Sequence, residues 1–302
     1  MPGRALTLLS MVLLSVPAAH GDTAQVERMF LERTAISAAD AACNLFTEPE
    51  RLALKSGLYQ AEGELLRANY APAKLAPLGS EVRSHAKSLG CDHPDVMQVA
   101  GTIRASYRQF AKTNYLEYPA ANSTWGASRS EHDDWAVMQT DKTTGIVFGL
   151  RRGEKFDELR LAVGIPAKGR APSAAQLILR DAGKMRDPWL GSLFGSASAS
   201  ARPPRAVARP EWAGDAEESE NSTGDPIYVF YFSQAAIDRM QLLDPREIVH
   251  LELTPSPMAK DKTPVTVAFE TGDLRAAHAF SLIPKLAQSA APAAAPAEKT
   301  GH

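Results

Sequence analysis

The densest chemistry-bearing stretches are GCDHPD, residues 90 to 95, and EHDD, Glu131 to Asp134. A cysteine, a histidine and carboxylates this close together are the material of a metal or hydrolytic site. The spacing argues otherwise. Gly90 suits the left-handed position that ends a helix. Asp92 reads as the N-cap of the next, with Pro94 in its first turn and Asp95 at its positive end. This leaves GCDHPD as a helix joint whose Cys91 pairs with Cys43. EHDD lacks the spacing and the glycine-bearing loop of a calcium site and reads as a solvated charged segment.

The remaining constellations are sparse. The chain has seven histidines, and none forms HxH or HExxH, so no metal set declares itself. Ser84-His-Ala-Lys87 and Lys299-Thr-Gly301 mimic the serine and KTG elements of penicillin-recognising enzymes. No S-D-N lies between them, and the second falls in an Ala/Pro tail, so the match fails in context. G-x-S-x-G, Walker and dinucleotide-binding glycine patterns are missing, and no cofactor is expected. The catalytic residues are unknown from sequence. A dispersed hydrolase site would draw on His93, His132, Asp133 and His250. Trp189 and Trp212, in DPWLGSLFG and RPEWAG, are candidate binding anchors or lids folded onto a sheet edge. Asn122 and Asn221 each begin an N-S-T acceptor pattern.

These residues have to be positioned by two halves of different period. From Ala24 to Tyr115 the spacing is helical. Val26, Met29, Ile36, Cys43 and Phe46 mark a loose stripe. Leu54, Leu58, Ala61, Leu65 and Ala68 mark a second. Val96, Ala100, Ile103, Tyr107 and Phe110 mark another, with a short helix from Ser80 to Leu89 between. Thr47-Glu-Pro-Glu50 reads as a capping box. Four helices with short connections predict a small bundle over 22–115.

From Trp135 the period becomes two. ELRLAVGI, EIVHLEL and VTVAFE alternate, AQLILR is a further strand, and IYVFYF is apolar on both faces. WAVMQ and IVFGL flank TDKTTG as a hairpin. SQAAIDRMQLL and GDLRAAHAFSLI read as short helices. The fold class is therefore α+β. A helical bundle precedes a mainly antiparallel β domain at 135–284, a sandwich or bent sheet. Residues 116–134 read as a polar linker, 195–225 as a long loop, and 285–302 as a disordered tail. A continuous core joining both halves is the competing view.

The amino terminus reads as a secretory signal. Arg4 precedes an apolar run from Ala5 to Val16, Pro17 breaks it, and Ala19 and Gly21 precede Asp22. The run is too short to span a bilayer. Cleavage is expected after residue 21 or after Ala18, giving a periplasmic or secreted protein. The two cysteines would then meet an oxidising compartment and form one disulfide. A net charge of -2 offers no basic excess for nucleic acid.

WAVMQ, LLDPREIVHLEL and GDLRAAHAF, with the earlier ACNLF and QAEGELLRA, resemble uncharacterised exported proteins of Gram-negative bacteria. The resemblance implies a periplasmic location and transfers no functional residue. The reading is an exported, non-enzymatic binding or interaction protein, whose partner is an envelope protein or a small ligand. The alternative is a periplasmic hydrolase with a dispersed site between the halves.

Overall fold

The computed structural model describes residues 23–153, 158–191, 201–221 and 223–284. The expected signal segment and the expected tail lie outside these residues. Helix α1 (Thr23–Cys43) ends at Asn44, whose positive φ of 52° is tolerated by a short polar side chain. Helix α2 (Glu48–Arg67) starts with the expected capping box, the Thr47 amide donating to Glu50 Oε2 at 2.8 Å. Helix α3 (Pro72–Ser88) begins well before Ser80 and holds Pro77 inside it. Pro72 sits in the first turn, where its missing N–H costs nothing. Helix α4 (Pro94–Phe110) is capped by His93 rather than Asp92, His93 Nδ1 accepting from the Asp95 amide at 3.3 Å. The Cys43–Cys91 disulfide joins the end of α1 to the α3–α4 turn, with a Cα–Cα distance of 5.5 Å.

The segment expected as a linker instead forms β1 (Tyr115–Pro119) and β2 (Thr124–Ser128). Trp125 is fully buried there, and its indole N–H reaches the carbonyls of Glu270 and Thr271. The hairpin follows as β3 (Trp135–Thr140) and β4 (Val147–Arg152), then β5 (Leu159–Pro166) and β6 (Ala174–Arg180). The expected long loop also contains strands, β7 (Ala208–Trp212) and β8 (Asp215–Glu220). Then come β9 (Pro226–Tyr231), α5 (Gln234–Met240), β10 (Ile248–Thr254), β11 (Val265–Glu270) and α6 (Leu274–Ser281).

The order β1-β2-β3-β4-β5-β9-β8 makes a seven-stranded sheet, and β11-β10-β6-β7 makes a second. All pairings are antiparallel. The chain changes sheets between β7 and β8, where Ala213 donates to Ala175 and Gly214 donates to Tyr231. Phe148, Leu161, Leu177, Val249, Leu251 and Phe269 line one core shared by the two sheets, as the period-two pattern requires.

The bundle docks on this sandwich through α6, and its Tyr107 and Ala111 enter the sandwich core. Ser56 Oγ lies 2.9 Å from Tyr118 Oη and donates to the Ala276 carbonyl at 2.9 Å. Arg67 forms a two-point ion pair with buried Asp273. Burial pushes the Asp273 carboxyl up to about 6 against the pull of Arg67. A Cβ on Gly63 would run into the Asp273 carboxylate. Arg129 is 3% exposed and stacks over Phe280. It donates to the carbonyls of Ala111 and Thr113 after α4, and of Ile283 and Pro284 after α6. One cation thus meets the negative ends of two helices.

Candidate functional site

The histidines named from sequence fall on separate elements. His93 caps α4. His132 and Asp133 lie in the β2–β3 connection, where Asp133 accepts from Ser128 Oγ at 2.5 Å. Asp134 pairs with Arg151 at 3.1 Å, so EHDD closes a turn between strands. His250 is on β10, in the other sheet. Among the described residues, imidazole hydrogen bonds run to the Asp95 amide, to Gln241 and to the Ala201 backbone. None of these bonds joins a hydroxyl, the contact that activates a nucleophile. No group of three His, Cys, Asp or Glu among the described residues could hold a metal ion.

The structure does bring His250, Trp189 and Trp212 to one place, the outward face of the four-stranded sheet. Alternation on β10 sends Val249, Leu251 and Leu253 to the core and His250 and Glu252 outward. Ladder register then sets two rows across the face. Thr266, Glu252, Gln176 and Trp212 form one, and Ala268, His250, Ile178 and Pro210 form the next. The segment after residue 200 crosses these rows. Its Arg202 pairs with Glu252 and donates to Thr266 Oγ1 at 2.9 Å.

Each candidate has a distinct state on this face. Trp189 is half-buried and folded back, its indole N–H donating to the Ala201 carbonyl at 2.8 Å. Its backbone N–H donates to Glu247 Oε2, which also receives buried Arg180 at 2.8 Å. His250 is 4% exposed. Burial, then Arg202, lower its pKa, so the ring is neutral, and Nε2 has no hydrogen-bond partner. Trp212 stays 57% exposed at the end of its row. The exposed indole and the Arg202–Glu252 ion pair suit contact recognition, with His250 buried beneath the segment that carries Arg202. They lack the base–nucleophile geometry of hydrolysis.

Sequence reading missed a second network, on the outward face of the seven-stranded sheet. Arg151 donates to Glu217 at 2.8 Å, Tyr231 Oη at 2.5 Å, Asp134 at 3.1 Å and Ser219 at 2.8 Å. Burial, then Glu217, push the Tyr231 hydroxyl pKa up. With both terminal nitrogens of Arg151 occupied, the network staples β4, β8 and β9 to the turn before β3. Only strand alternation could have signalled it, by placing Arg151 opposite the core-facing Leu150.

Comparison with protein families, with characterised proteins and with solved structures finds no match.

Proposed function

We propose that this chain is an exported, non-enzymatic binding protein of the bacterial envelope. It engages an envelope protein or a small ligand through the outward face of the four-stranded sheet. The observation that carries the reading is Trp212, a large aromatic held 57% exposed on a strand of this face, in one row with Glu252 of the Arg202–Glu252 pair and with Gln176 between them. Aromatic anchors flanked by polar contacts are what protein recognition sites are made of. The export part rests on the amino-terminal signal and agrees with the Cys43–Cys91 disulfide. No described helix is long and apolar enough to cross a membrane.

The test is a photo-crosslinking side chain at position 212 in cells of the native host, with position 143 as an exposed control. A discrete adduct at 212, lost on competition with untagged protein and weakened by Arg202→Ala, is the expected result. Equal labelling at 212 and 143 overturns the reading.

A further inference from the structure

Among the described residues the two sheets end in four edge strands, and three are guarded. Strand β1 carries Glu117 and gives its Pro119 carbonyl to the Asp273 amide at 3.0 Å. Strand β7 has Pro210 at its centre, without an N–H. Strand β8 carries Asp215, Glu217, Glu218 and Glu220. Charge, proline and coverage are the devices that keep an edge from pairing. Among the described residues, strand β11 has none of them from Val265 to Phe269.

The direction of its backbone groups follows from register. Thr271 donates across the ladder side to Glu247, whereas Glu270 turns to the outside. There its amide donates to Gln139 Oε1 at 3.0 Å, and its carbonyl accepts from Gln139 Nε2 at 3.4 Å. With a period of two, Ala268 and Thr266 present their N–H and C=O on that same side. Among the described residues no strand lies beyond β11 in its sheet. The Gln139 carboxamide thus occupies the place of a neighbouring strand's peptide group at one position, and no described residue takes the next two.

We propose that the edge of β11, from Val265 to Phe269, docks an extended peptide of another protein as an added antiparallel strand, with Gln139 marking where the pairing stops. The occupant is a flexible segment rather than a second folded copy. So short an edge buries far less than the roughly 800 Å² per partner of a stable dimer, whereas main-chain pairing suffices for a peptide. Charge fixes the orientation. Lys260 and Lys262 are exposed just before the strand, with the Lys262 amine donating to the Ser256 and Pro257 carbonyls, and the two cations outnumber Asp261, whose carboxylate accepts from the Thr263 amide. An antiparallel peptide delivers its carboxyl end there, so an acidic residue or a free α-carboxylate fits. At the other end the Glu270 carboxylate is taken by Asn122 and Ser123. The peptide's alternate side chains meet exposed Val265 on one side and Thr266 and Ala268 on the other.

The inference rests on the binding reading but uses the edge rather than the Trp212 face. The probe is an acetylated hexapeptide, TVTVTD, with a free carboxyl end, added to the full mature chain while amide hydrogen exchange is followed. Exchange at Thr266 and Ala268 is expected to slow roughly tenfold at about ten times Kd, and less at high salt. The same peptide N-methylated on the amides facing β11 is expected to give no protection, without any change to the protein. Unchanged exchange overturns the proposal, as does equal protection by the methylated peptide. Protection without peptide, growing with protein concentration alongside a dimeric mass, also overturns it and makes a second copy the occupant. Failure here with the position-212 adduct intact removes the edge alone. Edge protection without that adduct removes the Trp212 face alone.

Discussion

Phe30 and Phe148 are both buried phenylalanines, yet they live in different kinds of core. Phe30 belongs to a small cluster with Val26, Ala61, Leu65, Leu66 and Leu75, separate from a second one around Ile36, Phe46 and Val96. Phe148 packs on Trp125 and Phe269, with ring centroids 6.0 and 4.9 Å away, inside a core that runs through both sheets. A small split core supplies little stability of its own. The bundle therefore depends on its disulfide and on α6, whereas the sandwich stands on burial.

The largest expected effect tests the sandwich. Phe148→Ala should cost about 3–5 kcal/mol, and urea unfolding should show a single transition moved to lower denaturant. Two separate transitions would break the claim that bundle and sandwich share one docked core. Next comes the covalent clip. Replacing Cys43 and Cys91 by alanine frees a loop whose ends lie 48 residues apart, worth about 4 kcal/mol in the chain-entropy model. Hydrogen exchange should rise across α1, α3 and α4 while β4, β5 and β10 stay protected. Uniform loosening would show that the sandwich leans on the bundle as much as the reverse.

The third effect reads the docking helix by pH. His278 on α6 is held down to about 4 by burial, then by Lys55 of α2. The unfolded chain binds this proton near pH 6.5, so the native state resists protonation. Stability present above that pH is lost progressively as pH falls from there to about 4, by up to about 3 kcal/mol. Measured by denaturation midpoints, the wild type should lose stability relative to His278→Gln as pH falls from about 6.5 towards 4. Parallel pH profiles would remove His278 from the account. The smallest effect is steric. Gly63→Ala places a methyl against Asp273 and should cost about 1–3 kcal/mol. Asp273→Ala in the same chain should relieve the clash, which a double-mutant cycle would register.

What sequence reading reached follows the same division. The bundle, the period-two strands and the disulfide were legible, because helix stripes, alternation and an even cysteine count are local or countable signals. Strands β1 and β2 were hidden, because Gly126, Ala127 and Ser128 offer small side chains where alternation needs large ones. Strand β8 was hidden because an edge strand with Glu217, Glu218 and Glu220 looks like a loop. Pro72 and Pro77 masked the first part of α3. His93 was passed over as a cap because its imidazole is an uncommon choice beside an aspartate. The Arg67–Asp273 pair spans 206 residues, and no local pattern marks it. The Trp212 face was half legible. The aromatic stood out, but its sharing of a surface with His250 follows from ladder register alone.

Arg129 also bears on the order in which the molecule is completed. Its acceptors at Ala111 and Thr113 are made early, while Ile283 lies 154 residues after it. A chain synthesised amino end first carries this cation half-satisfied until residues 283 and 284 emerge. Final closure then waits for the late residues, Phe280 and Ile283 of the core among them. A nascent chain stalled before Ile283 should remain open to chaperones and proteases, even with most of its strands in hand.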